Sequence, residues 1–186
     1  MAPEDSPSTP PADPALNAVR ARIRAVADFP KPGVLFRDIT PLLADAEAFG
    51  TVIEAMAAAV SGWQVDGLVA IESRGFVFGA ALAQRLRLPL QLVRKPGKLP
   101  WQVSAIDYAL EYGTDRLEIH ADAVHAGGRY AIIDDVLATG GTAAATAALV
   151  RKLGGTPVGV AVLIELLFLD GRRQLDGLPV ASLITY

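Results

Sequence analysis

From residue 67 onward, short apolar runs alternate with stretches of helical period, and that rhythm limits the fold more than any other feature of the chain. Residues 67–71, 89–93, 130–133 and 158–164 are runs of strand length rich in Val, Leu and Ile, whereas 75–86 and 141–153 have the period of helices. Apolar strands separated by helices form βαβ units in a mostly parallel sheet that is covered on both faces. Residues 181–186 supply a last candidate strand. The expected class is therefore α/β, a mostly parallel twisted sheet flanked by helices, which binds ligands beyond the carboxyl ends of its strands.

The chain before residue 67 is organised differently. Leu16, Val19, Ile23 and Val26 recur at helical spacing, so an amphipathic helix is expected over 16–27, with Arg20, Arg22 and Arg24 mostly on its wet side. Two prolines and a glycine in Phe29-Pro30-Lys31-Pro32-Gly33 then break it. Thr40 as an N-cap and Pro41 as first helical residue suggest a new start, and a second helix is expected over 46–60. Residues 1–14 carry five prolines and three acids without a basic segment leading into an apolar one, which reads as a disordered tail rather than a signal peptide. Residues 15–186 are then expected to form a single domain, because 186 residues suffice for one full core and not for two large ones.

Composition removes several classes of function. A hydrophobic fraction of 52% raises the question of a membrane span, but no apolar stretch approaches the ~18 residues that one needs. The absence of cysteine excludes a disulfide framework and thiolate metal sites, and with the tail it points to the cytoplasm. His120 and His125, the only histidines, lack zinc-site spacing and read as surface residues. A net charge of −3 argues against wholesale nucleic-acid binding, so an anionic ligand has to be met by a local cluster of cations.

Two such places follow strands. After 130–133 come Asp134 and Asp135, then Ala138, Thr139, Gly140, Gly141 and Thr142 opening a helix. Adjacent carboxylates repel unless hydroxyl donors or a cation compensate them, and a ribose diol supplies such donors. Small residues at a helix N-terminus bring backbone N–H groups close to a phosphate. An ordinary capped turn explains Gly140 and Thr142 but leaves the acid pair unexplained. After 67–71 come Ser73, Arg74 and Gly75, where the planar fork of Arg74 suits phosphate oxygens. Arg94, Lys95 and Lys98 put three cations within five residues. A solvated basic turn is the other reading of that cluster.

The run Ile-Ile-Asp-Asp-Val-Leu-Ala-Thr-Gly-Gly-Thr over 132–142 resembles the 5-phosphoribosyl diphosphate (PRPP) motif of type I phosphoribosyltransferases. Residues 29–41 (Phe-Pro-Lys-Pro-Gly-Val-Leu-Phe-Arg-Asp-Ile-Thr-Pro), 72–76 (Glu-Ser-Arg-Gly-Phe), 94–100 (Arg-Lys-Pro-Gly-Lys-Leu-Pro) and 110–113 (Leu-Glu-Tyr-Gly) narrow the resemblance to the adenine phosphoribosyltransferases. The resemblance implies the type I fold, with a small N-terminal hood and a mobile lid loop. It implies transfer of phosphoribose from PRPP to adenine, giving AMP and diphosphate in purine salvage, by a homodimer. The ribose phosphate would lie on Asp134, Asp135, Ala138, Thr139, Gly140, Gly141 and Thr142. The diphosphate would lie on Ser73, Arg74, Gly75, Arg94, Lys95 and Lys98, with a non-proline cis peptide at Ser73-Arg74. Adenine would stack on Phe36 and bond the backbone of Leu35 and Arg37, although Phe36 also reads as a core aromatic. Glu111 would act at the purine N7 side with Tyr112 beside it, though by position Glu111 reads as an exposed acid. Mg²⁺ would be held mainly by substrate oxygens and water.

Trp101 departs from the family pattern, which commonly has glycine there; the indole alters lid motion or packs on a partner subunit or the base of the loop. Two other functions fit parts of the chain: a PRPP or purine sensor without catalysis, and a phosphoribosyltransferase for another base such as hypoxanthine, xanthine or orotate.

Overall fold

The computed structural model describes residues 14–109 and 114–186, less the side chain of Ala109. It divides into two compact units, Met1–Val52 and Ile53–Tyr186. In the first, helix α1 (Pro14–Ala21) leads to strand β1 (Arg24–Ala27), which pairs antiparallel with β2 (Leu35–Asp38), so that Val26 opposes Phe36. The helix expected over 16–27 therefore ends at Ala21. Val19 and Ile23 are buried as their spacing demands, but pairing with β2 draws residues 24–27 into a ribbon. The short helix α2 (Thr40–Leu43) is preceded by Ile39 at the N-cap rather than by Thr40. Asp38 does the capping work instead, accepting hydrogen bonds from the Thr40 N–H and hydroxyl, each at 2.9 Å.

Helix α3 (Ala46–Ser61) runs from the first unit into the second, where β3 (Gly67–Ile71), α4 (Gly75–Leu86) and β4 (Leu90–Val93) make a first βαβ unit. An antiparallel hairpin follows, β5 (Val103–Ala109) and β6 (Thr114–His120), which the apolar rhythm does not announce. Then come β7 (Arg129–Leu137), α5 (Gly141–Lys152), β8 (Thr156–Glu165), the 3₁₀ turns Leu167–Leu169 and Gly171–Leu175, and β9 (Val180–Thr185). The strands form a five-stranded parallel sheet in the order β4-β3-β7-β8-β9.

Every residue of β3 is buried because both faces of the sheet are covered. Successive side chains alternate in direction. Val69 and Ile71 accordingly join clusters with Ala145, Leu149 and Ala147 of α5, while Ala70 faces Gly79 of α4 so closely that a Cβ there would lie 2.5 Å from its own. Truncating the fully buried Leu149 to Ala would cost about 3 kcal/mol. His120 is half-buried rather than on the surface, and its Nε2 has no hydrogen-bond partner among the described residues. His125 is exposed, with Nδ1 2.8 Å from the Tyr130 hydroxyl.

Strand lengths open the crevice. Pairing of β3 with β7 stops at Ala70 and Ile133, yet β7 continues along β8 through Leu137. Asp134 and Asp135 thus lie inside β7 and not after the end of the strand expected over 130–133. Sheet order reverses here, since the chain goes from β3 to β4 on one side and later to β7 on the other. Such a switch point leaves a gap between diverging loops.

Candidate active site

A cavity of about 340 Å³ occupies that gap, lined by Ser73, Arg74 and Lys95 on one side and by Asp134, Asp135 and the 138–142 loop on the other. The loop is held by backbone contact. Gly140 has φ +86°, and a Cβ on it would lie 2.1 Å from the Gly171 carbonyl oxygen; a Cβ on Gly171 would lie 2.2 Å from that of Ala138. Only glycine fits at either place. Gly171 was given no role from the sequence. No side chain caps α5 behind Gly140, and Gly140, Thr142 and Ala143 border the cavity, where the helix dipole favours an anion.

The acid pair is split by environment. Burial pushes the Asp134 carboxyl well above its usual range, and the charge of Asp135 adds to the effect. Its Oδ1 accepts the Asp135 N–H at 2.9 Å and lies where a Cβ on Gly75 would approach to 2.9 Å. Asp135 is buried and pairs with Arg74, Nε to Oδ2 at 2.5 Å.

The remaining cations also rest on carboxylates. Glu72, nearly buried, accepts Arg94 Nε at 3.2 Å, Lys98 Nζ at 2.8 Å and the Lys95 N–H at 2.9 Å. Burial pushes the Glu72 carboxyl up, but Lys98, the Lys95 N–H and Arg94 outweigh it and bring the pKa to about 2. Lys95 Nζ pairs with Asp115 on β6. Glu72 and Asp115 were given no role from the sequence, where nothing but the fold brings them to the basic cluster.

The predicted residues are thus partly assembled. Ser73, Arg74, Lys95, Asp134, Asp135, Ala138, Thr139, Gly140 and Thr142 line the cavity; Gly75 packs behind Asp134, Gly141 begins α5, and Arg94 and Lys98 gather on Glu72. The non-proline cis peptide joins Glu72 and Ser73, one bond earlier than expected. Leu35, Phe36 and Arg37 lie on β2 of the first unit. There an apolar slot of about 200 Å³ is lined by Val26, Phe29, Phe36 and Asp38, with the two phenyl rings edge to face at 5.0 Å. Phe36 is half-buried and borders an opening, so it is not a core aromatic. Glu111 and Tyr112 lie outside the described residues. Trp101 is 67% exposed.

Comparison with known proteins agrees with this geometry. Residues 42–176 match the phosphoribosyl transferase domain family. The chain is 53% identical to the adenine phosphoribosyltransferase of Rubrobacter xylanophilus over 92% of its length and 93% of the relative's. The crystal structure of the enzyme of that name from Thermoanaerobacter pseudethanolicus superposes with a TM-score of 0.90 at 53% identity, covering 92% of this chain and 99% of that one. The Saccharomyces cerevisiae adenine phosphoribosyltransferase, solved in complex with an imino-altritol bisphosphate and adenine, superposes with a TM-score of 0.85 at 36% identity, covering 91% and 98%. At this identity and coverage, and with the same fold, the chain belongs to the adenine phosphoribosyltransferase family.

Proposed function

We propose that the crevice binds PRPP and that the protein transfers its phosphoribosyl group to adenine, yielding AMP and diphosphate. The observation that carries the reading is the 138–142 loop, jammed against Gly171 and opening α5, beside an acid pair that faces Arg74. The 5′-phosphate sits on Ala138, Thr139, Gly140, Gly141 and Thr142, and the ribose hydroxyls donate to Asp134 and Asp135. The diphosphate takes Arg74 and Lys95 with the backbone of Ser73 and Gly75, and Arg94 and Lys98 add charge from the Glu72 cluster. Phe36 stacks on adenine, whose edge bonds the Leu35 and Arg37 backbone, and Glu111 with Tyr112 meets the N7 side. Residues 15–186 work together as one phosphoribosyltransferase domain.

As adenine N9 bonds C1′, the bond from C1′ to the diphosphate oxygen breaks, the electron pair leaves with diphosphate, and the proton of adenine's imidazole ring passes to water or to the departing diphosphate. Arg74 and Lys95 stabilise the charge growing there. Among the described residues no group of three His, Asp or Glu side chains is placed to hold a metal ion. The donors present suit an ion brought in on substrate oxygens, with the acid pair beside the diol. When bound, Mg²⁺ offsets charge on the leaving diphosphate.

Among the described residues no helix is long and apolar enough to cross a membrane. A cytoplasmic location is our reading of the cysteine-free composition. Trp101, Leu167 and Phe168 are exposed apolar residues that a second copy would cover, which supports a homodimer. Sedimentation at a mass near twice 19.5 kDa is the expected result, and a monomer at micromolar concentration contradicts it.

The test of the reaction offers PRPP, Mg²⁺ and one base at a time while diphosphate release is followed. Turnover with adenine and little with hypoxanthine, xanthine or orotate is expected. A preference for hypoxanthine overturns the base assignment, and no turnover with any base favours a sensor. Glu111→Ala is expected to lower kcat far more than it raises KM for PRPP; an unchanged kcat removes Glu111 from the reaction.

A further inference from the structure

Each of the four cations at the site is neutralised by a carboxylate of the same chain: Arg74 by Asp135, Arg94 and Lys98 by Glu72, and Lys95 by Asp115. The last pair has a connection the others lack. Asp115 Oδ2, which holds Lys95, also accepts the Tyr108 hydroxyl at 3.1 Å, and that hydroxyl lies 3.3 Å from Thr142 Oγ1 in the first turn of α5. The hydrogen bond from Lys95 holds the Asp115 carboxyl below its usual range against burial. A phenol has one proton to give. Given to the Asp115 carboxylate, it leaves Thr142 to donate to Tyr108, so a directed chain runs from Thr142 through Tyr108 to Asp115, where Lys95 meets it. Tyr108 is half-buried and packs on the cluster containing Ala145 and Leu149 of α5, which keeps its ring in place.

We propose that Tyr108 and Asp115 are positioning residues that make the two anion subsites antagonise each other, an inference that rests on reading the crevice as a PRPP site. Hydrogen bonds in a chain strengthen one another. While Thr142 donates to Tyr108, the phenol is a stronger donor to Asp115 and draws the carboxylate's charge away from Lys95. A 5′-phosphate takes the Thr142 hydroxyl, weakens the phenol as a donor, and returns Asp115 to Lys95, which then holds diphosphate less firmly. By reciprocity a diphosphate on Lys95 frees Asp115 for Tyr108 and ties Thr142 more firmly to the phenol. Within PRPP one molecule carries both groups and the antagonism is borne together. After transfer, diphosphate is separate from the AMP phosphate, and the antagonism favours its departure, a step that often limits turnover.

Calorimetric titration of magnesium diphosphate, with and without saturating ribose 5-phosphate, reads this coupling. Direct repulsion between the two ligands is common to all variants, so the comparison is between variants. Against wild type, Tyr108→Phe is expected to bind diphosphate about fivefold more weakly in the absence of ribose 5-phosphate and within about twofold equally in its presence. In an Asp115→Asn background the same substitution should have no further effect, as residues in one chain are not additive. If both ligands bind wild type and Tyr108→Phe leaves the coupling unchanged, or if its effect persists undiminished in Asp115→Asn, the relay is wrong and the PRPP reading stands. If neither ligand binds wild type, that reading fails and the relay with it.

Discussion

At the phosphate end of the crevice backbone rests on backbone, Gly140 against Gly171 and Gly171 against Ala138; at the diphosphate end side chains from three separate segments hold one another through charge, Glu72 after β3, Arg94 to Lys98 after β4, and Asp115 on β6. The two ends face the same ligand with different stiffness. Backbone packed on backbone has nowhere to move, so the phosphate end offers one shape. Ion pairs at a crevice mouth are exchangeable, because a substrate oxygen can replace a carboxylate oxygen without moving the chain. On the proposed reading of the site, one end fixes the position of PRPP, while the other admits and releases diphosphate.

The sharpest way to break this contrast is Gly171→Ala. A Cβ there meets the Ala138 carbonyl oxygen at 2.2 Å, so the phosphate loop has to shift. Strain of about 3 kcal/mol corresponds to a loss of roughly a hundredfold in kcat/KM. Gly50→Ala, where a Cβ meets nothing within 4 Å, is the control and should be near neutral. A Gly171→Ala enzyme near wild-type activity would show that the loop tolerates movement. Next in size is Asp135→Asn, which leaves Arg74 without its carboxylate partner and weakens the grip on the diol. Loss of a charged hydrogen bond of about 2 kcal/mol predicts roughly a thirtyfold fall in kcat/KM for PRPP.

The smallest expected effect belongs to the exchangeable end. Glu72→Gln is expected to lower the melting temperature by about 3 °C at pH 7. The sign with pH follows from the Glu72 pKa of about 2, below the ordinary 4.5. A depressed carboxylate contributes fully above about 4.5 and loses that contribution as the pH falls through about 2. The melting difference between wild type and Glu72→Gln should therefore shrink on acidification below 4.5 and vanish near 2. A difference that stays constant over that range would show that the ion-pair cluster does not act through the charge of Glu72.

The same contrast explains what could be read from the sequence. Residues 132–142 supply strand, acids, loop and helix start in one contiguous run, so the phosphate end was legible together with the parallel sheet that carries it. That β7 extends through the acids was not, because its length is set by pairing with β8, as in Asp134 opposite Val162. The helix expected over 16–27 failed for a like reason: the spacing of Val19, Ile23 and Val26 fits a helix, but a strand partner at Phe36 claims Val26. Tyr108 and Asp115 face each other across the hairpin, but they meet Thr142 and Lys95 only when it folds against α5 and β4, and no local signal marks an acid that will meet a distant lysine. Nothing local marks Gly171, since what it touches, Ala138 and Gly140, lies more than thirty residues earlier in the chain.

The most direct measurement of the central claim is phosphorus NMR of the protein with PRPP, Mg²⁺ and adenine, followed in time. The account predicts that PRPP signals give way to those of AMP and diphosphate in equal amounts, with no ribose 5-phosphate. Ribose 5-phosphate appearing in place of AMP would mean a crevice that cleaves PRPP without transferring it, and unchanged PRPP would mean one that does not act on it; either result contradicts the account.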